Sequence, residues 1–125
     1  MSISLGEHSK LTVHLSEREQ IRKFYRDVLG CLTTKESERI DVFQIGTTFF
    51  LGVTYENSAL SKEEYLKAIW LELRTDRTEE LKKKILAFGV KELEYWDKEH
   101  FYFQAPGGQV FRLADSAEDM SKWQQ

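Results

Sequence analysis

The stretch His100–Leu113, HFYFQAPGGQVFRL, carries the feature on which the fold reading turns. It reads as two strands joined by a Pro106-Gly107-Gly108 turn. Side chains alternate along a strand, so Phe111 and Leu113 point one way while Val110 and Arg112 point the other. A fixed positive charge in mid-strand needs a partner or an open face.

The same pattern occurs earlier in the chain. Residues 42–53, VFQIGTTFFLGV, lie over residues 102–113, YFQAPGGQVFRL, with Phe43-Gln44 meeting Phe103-Gln104. Upstream, KLTVHL alternates as a half-buried strand, with Leu11, Val13 and Leu15 on one side and Lys10, Thr12 and His14 on the other. IWLELR repeats it, with Ile69, Leu71 and Leu73 opposed to Trp70, Glu72 and Arg74, so that Ile69 lies over Leu11.

A helix follows each of these strands. In the first, Ser16 and Glu19 stand at capping-box spacing, and Ile21, Phe24, Tyr25, Val28 and Leu29 form one face before Gly30. In the second, Asp76 is the expected cap, with Glu79 three residues on. Leu81, Ile85 and Phe88 form the stripe, and Gly89 ends it. The connector SALSKEEYLKA carries Ser61 and Glu64 at capping-box spacing. Two copies of one supersecondary unit are expected to complete a shared core.

Composition bounds the function. The 125 residues suit one domain, and a net charge of -3 argues against the basic face that nucleic-acid phosphates require. No apolar run reaches the ~20 residues of a membrane span, and MSISLGEHSK lacks signal-peptide patterning. A single cysteine, Cys31, excludes an intrachain disulfide and a thiolate metal cluster. A cytoplasmic setting is the expectation.

Two tandem βαβββ units, with FYRDVLG closing the first helix and PGGQ before the last strand, resemble the vicinal oxygen chelate superfamily. That group includes glyoxalase I, extradiol dioxygenases, fosfomycin resistance enzymes and bleomycin-binding proteins. The resemblance implies an α+β fold in which paired modules form a curved mixed sheet, with helices on its convex side and a ligand cleft on its concave side. Module one would span about residues 8–57, the connector 58–67, module two 68–115 and a tail 116–125. A homodimer is implied, as is common among such proteins.

Metal-dependent members of that superfamily place four His, Gln or Glu ligands in the cleft. Carried onto this sequence, the four positions fall on Lys10, near Gly52, on or next to Ala68, and on Arg112. Ammonium and guanidinium groups offer no free lone pair near neutral pH. No metal or other cofactor is therefore expected. A relocated site built from His8, His14 and Glu72 is the metal-dependent alternative, and would make the protein a lyase or dioxygenase.

The expected reading is a metal-independent small-molecule binding protein. Its cleft would be lined by Lys10, His14, Phe50, Trp70, Glu72, Arg74 and Arg112, and suited to an anionic or aromatic ligand. Arginine would fork onto a carboxylate or phosphate, with Trp70 and Phe50 as stacking walls. Two alternatives stand beside it. Glu72 could pair with Arg112 or Arg74 and close part of the cleft, or the module could act only through protein association.

Overall fold

The structure, a computed structural model, describes residues 1–123. The alternation of KLTVHL is realised as strand β1 (His8–His14), with Leu11 and Val13 buried. After a single 3-10 turn comes helix α1 (Arg18–Lys23), continued by a π-helical turn over Phe24–Val28. Strands β2 (Leu32–Glu36), β3 (Ile40–Ile45) and β4 (Phe49–Glu56) complete the first unit. A short helix α2 (Lys62–Tyr65) leads to β5 (Trp70–Thr75), α3 (Thr78–Phe88), β6 (Glu92–Leu93), β7 (Phe101–Gln104) and β8 (Val110–Asp115).

The units share one topology. The first sheet runs β1-β4-β3-β2 and the second β5-β8-β7-β6. In each, the first strand is parallel to the last and the remaining pairs are antiparallel. The helix between first and second strands supplies the crossover that a parallel pair requires. Within this chain the modules form two four-stranded sheets, with β1 and β5 each at a sheet edge.

What joins the sheets is an aromatic wedge. Phe24 and Tyr25 are adjacent and both fully buried, which a helix with one buried face does not produce. They face apolar surface on two sides. The Tyr25 ring stacks on Phe43 of the first sheet at 5.0 Å and meets Phe111 of the second at 6.2 Å. Phe24 meets Phe88 of α3 at 5.4 Å and Phe103 of β7 at 5.9 Å. The buried faces of both sheets thus turn toward shared helices. By strand parity their open faces lie on opposite sides of that core.

A buried polar anchor ties α1 to its own sheet. Asp41 is fully buried and accepts two hydrogen bonds from Arg22 (2.8 and 3.1 Å) and one from the Tyr55 hydroxyl (2.7 Å). A buried carboxylate held by this many donors is satisfied rather than costly.

Local expectations fare unevenly. The Ser61–Glu64 capping box forms, and Gly30 (φ 71°) and Gly89 (φ 110°) end their helices in the left-handed region that glycine tolerates. Asp76 does not cap α3. The N-cap position is Arg77, whose N–H donates to the Thr75 hydroxyl. Ser16 and Glu19 form no capping box, because His14 caps the 3-10 turn in front of α1. Leu15 and Ile69 were expected on core faces. Both lie outside the strands and are exposed, 39% and 72%, since strand alternation does not extend to them.

The PGG turn sits against the first module. A Cβ on Gly107 would stand 2.8 Å from Ile21, and one on Gly108 would stand 2.5 Å from the Tyr65 ring, at φ values of 89° and 127°. The Tyr65 hydroxyl in turn donates to the Thr12 carbonyl. Gly108→Ala is expected to destabilise the protein by about 2–4 kcal/mol, through strain and overpacking together. Urea unfolding checks it, and a change below about 0.5 kcal/mol would contradict this packing.

Candidate functional site

The strand registers define the site's corners. In the first module Lys10 pairs with Gly52 across β1 and β4, and in the second Glu72 pairs with Arg112 across β5 and β8. The ladder therefore makes Glu72 the counterpart of Lys10. It corrects the sequence alignment of the first strands, which set Ile69 over Leu11 and put the third corner on or next to Ala68. Ala68 lies in a bend before β5. The slip arose because the two strands share one alternation, so a shift by an even number of residues preserves every facing.

Arg112 is buried on the open face of its strand, with 8% of its surface exposed. Its two ladder neighbours explain this: Glu72 on β5 and Tyr102 on β7 flank it. Its Nε and Nη2 donate to Glu72 Oε1 at 3.1 and 2.6 Å. Its guanidinium stacks over Trp70 at 4.3 Å from the ring centroid, and Asp97 lies 3.9 Å from Nη1. Burial opposes the charge, but hydrogen bonds with Glu72 and Tyr102 outweigh it and hold the Arg112 pKa above its ordinary value.

Aromatic rings extend this face. Tyr102 meets Trp70 edge-on at 5.9 Å and stacks with Tyr95 at 4.4 Å, and Tyr95 packs on the largely exposed Trp96. Beneath them lies a polar chain that sequence reasoning missed. Asp97 accepts from the Tyr102 hydroxyl (2.9 Å) and from the Glu99 N–H (2.9 Å), and its third contact is His100 Nδ1 at 2.6 Å. The DKEH spacing is the local signal for the Asx turn that starts the chain. Nothing local points to Glu118, which meets His100 Nε2.

The other expected site residues divide. Phe50 is half-buried on the first sheet, stacked with His8 at 4.9 Å. Lys10 is exposed beside them, and its Nζ donates to the Thr12 hydroxyl at 2.9 Å. His14 is given over to capping, its Nδ1 accepting from the Ser16 N–H at 3.1 Å. Arg74 binds the carbonyl oxygens of Asp115, Ser116 and Glu118 and so shapes the turn after β8. Lys10 and Phe50 stand on one sheet, Trp70, Glu72 and Arg112 on the other. Because the open faces lie on opposite sides of the core, one chain does not gather them into one cleft.

The four corners Lys10, Gly52, Glu72 and Arg112 do not fit a divalent cation. They offer one carboxylate, and Arg112 already neutralises it. His8, His14 and Glu72 do not converge either: the histidines stand at opposite ends of β1 and Glu72 on the other sheet. Among the described residues no group of three His, Cys, Asp or Glu side chains has metal-ligand placement.

Comparison with solved structures supports the fold. The chain has the vicinal oxygen chelate fold, that of glyoxalase-like and fosfomycin resistance proteins. The fosfomycin resistance protein FosX from Mesorhizobium loti superposes with a TM-score of 0.74 over 100% of both chains at 13% identity. A mutant FosX from Listeria monocytogenes, complexed with Mn(II) and 1S,2S-dihydroxypropylphosphonic acid, gives 0.75 over 98% of this chain and 99% of that one, at 16% identity. An integron cassette protein from Vibrio cholerae gives 0.67 at 19% identity, covering 94% of this chain and 98% of that one. Protein-family models and curated proteins give no match to the sequence. Among the described residues no helix is long and apolar enough to cross a membrane.

If Glu72 and Arg112 compensate each other, a double-mutant cycle will show it. Arg112→Met alone should cost about 1.5–3 kcal/mol by leaving the partly buried Glu72 without its partner. Adding Glu72→Gln should recover about 1 kcal/mol or more, and additive losses in urea unfolding would contradict the coupling.

Proposed function

We propose that the protein binds a small aromatic acid, without a metal, in a cup completed by a second copy of the chain. The observation that carries this is the Glu72–Arg112 pair under Trp70 and Tyr102. The corner where a ligating carboxylate would serve a cation is occupied by an internal cation instead. The charge balance of that corner is complete, and the aromatic surface beside it is exposed at Trp96 and half-exposed at Trp70, while Tyr102 is buried and stacked with Tyr95. The likeness to FosX structures, one of them a complex with Mn(II), supports the fold, while the donor set of this chain points away from a metal.

The acid-binding group in this reading is Lys10, not Arg112. The guanidinium is turned to Glu72, whereas the described partner of the Lys10 ammonium is a neutral hydroxyl. Lys10 stands on the same face as Phe50 and His8, a cation beside a stacking surface. A carboxylate-bearing ring matches both features.

A single chain displays these halves on opposite sides, which motivates the dimer. Edge strands β1 and β5 carry unpaired backbone groups suited to strand addition. Pairing β1 of one copy with β5 of another would set the Lys10–Phe50 face beside the Trp70–Tyr102 face twice over, in the isologous manner of a two-fold dimer.

Tryptophan fluorescence titration with 4-hydroxybenzoate, with phenol as the neutral control, tests the ligand class. Saturable quenching by the acid, unchanged by EDTA, is expected. Lys10→Ala should weaken the acid by about fivefold, as suits an exposed charge pair, and leave phenol unaffected. Analytical ultracentrifugation should show a dimer. Stoichiometric metal whose removal abolishes binding, or a monomer that quenches with neither probe, would overturn the proposal.

A further inference from the structure

His100 has no part in the binding reading above, yet its surroundings are the most constrained in the second module. Its side chain is 3% exposed. Nδ1 lies 2.6 Å from Asp97 Oδ2, and Nε2 lies 2.9 Å from both oxygens of Glu118. An ionised carboxylate only accepts hydrogen bonds, and neutral imidazole has one N–H. Both contacts are made together only when both ring nitrogens carry protons. With both carboxylates ionised, the geometry fits a charged imidazolium whose partners come from different segments. Asp97 belongs to the loop before β7, and Glu118 to the segment after β8.

We propose that His100 is a charge-dependent staple: as imidazolium it fastens the C-terminal segment Asp115–Trp123 to the loop before β7, and on losing its proton it releases Glu118 and loosens that segment. The loop also carries Tyr95 and Trp96, so the staple borders the aromatic face.

The surrounding charges favour the protonated state. In the loop, Glu99 and Lys98 flank His100, and Glu99 is paired with Lys122 of the C-terminal segment at 2.9 Å. From the strands, Arg112 and Tyr102 face Asp97, and Asp115 and Glu92 line the neighbouring cavity. From α3, Glu79 and Lys82 line the same cavity, with Lys82 drawn over the Phe101 ring. Carboxylates outnumber cations around the imidazole. Burial works against its charge, but hydrogen bonds with Asp97 and then Glu118 outweigh burial and raise its pKa above the ordinary value. For Asp97, burial is again opposed by hydrogen bonds, from the Glu99 N–H, His100 and Tyr102, and its pKa is lowered.

The sign of the pH dependence follows. The contribution of His100 is fully present below the ordinary histidine value of about 6.5 and is lost as pH rises through the raised folded value. The contribution of Asp97 is present above the ordinary carboxylate value and is lost as pH falls through its lowered one.

NMR titration of the His100 ring, with amide hydrogen exchange of residues 115–123, tests the staple on the full chain. The expected midpoint lies above the ordinary histidine value of about 6.5. Exchange in 115–123, corrected for its intrinsic rise with pH, should accelerate about tenfold or more across that midpoint. Glu118→Gln keeps the fold's other contacts and should lower the midpoint and remove the step. His100→Gln should give fast exchange in residues 116–123 at every pH, with β5 and β8 still protected. A His100 midpoint at or below 6.5, or exchange without a step in the parent protein, would overturn the proposal. Neither readout involves a ligand, so failure of the aromatic-acid reading leaves this test intact.

Discussion

Placing Phe24 and Tyr25 side by side between two sheets is the constraint on which the molecule depends. Both rings avoid water only if apolar surface meets them from both directions, and the buried faces of the two modules supply it. The π-helical turn that carries them closes with the Leu29 N–H donating to the Phe24 carbonyl at 3.1 Å. Once these rings are seated, both sheets must turn their apolar faces inward and their open faces outward. The location of every polar site residue follows from that step. The PGG turn reinforces it, because its glycines let the second module's hairpin approach Ile21 and Val13 of the first module and Tyr65 of the connector.

Electrostatics then distinguish the two open faces. On the first, Lys10 is exposed beside Phe50 and His8. On the second, Arg112 is enclosed by Glu72, Trp70 and Tyr102, and a chain of carboxylate and imidazole groups runs beneath it to Glu118. A guanidinium is suited to this place. It is weakly hydrated, presents several donors in a plane and stacks on indole, so partial burial costs it less than it would cost an ammonium. The same corner cannot serve a divalent ion, because a fixed positive charge already satisfies its one carboxylate.

The sequence made the modules legible because their signals are local. Leu11 with Val13 and Phe111 with Leu113 alternate as half-buried strands do, and the core takes them in. Gly30 and Gly89 mark helix ends, and Ser61 with Glu64 is a capping box. The failures share a physical origin. Asp76 does not cap α3, whose N-cap position is Arg77 with no side-chain cap bond, and Ser16 lies inside a 3-10 turn that His14 caps. The strand-to-strand alignment slipped by an even number of residues, to which alternation is blind. Arg74 and His14 were expected to line a cleft. They are instead committed to a turn and a cap by carbonyls and hydroxyls that their own strand pattern does not reveal.

By itself, then, the sequence determined two βαβββ units, their inward and outward faces, and the outward facing of Lys10 and Arg112 on their strands. Only the tertiary structure decided that the two open faces lie apart, that Glu72 is the ladder partner of Arg112, and that Asp97, His100 and Glu118 form one chain. The reason is range. Alternation and capping are set by neighbours within a few residues, whereas Glu72 meets Arg112 across a parallel ladder and Glu118 meets His100 across a hairpin. Such pairings depend on which edges and rings pack, and packing is a property of the whole fold.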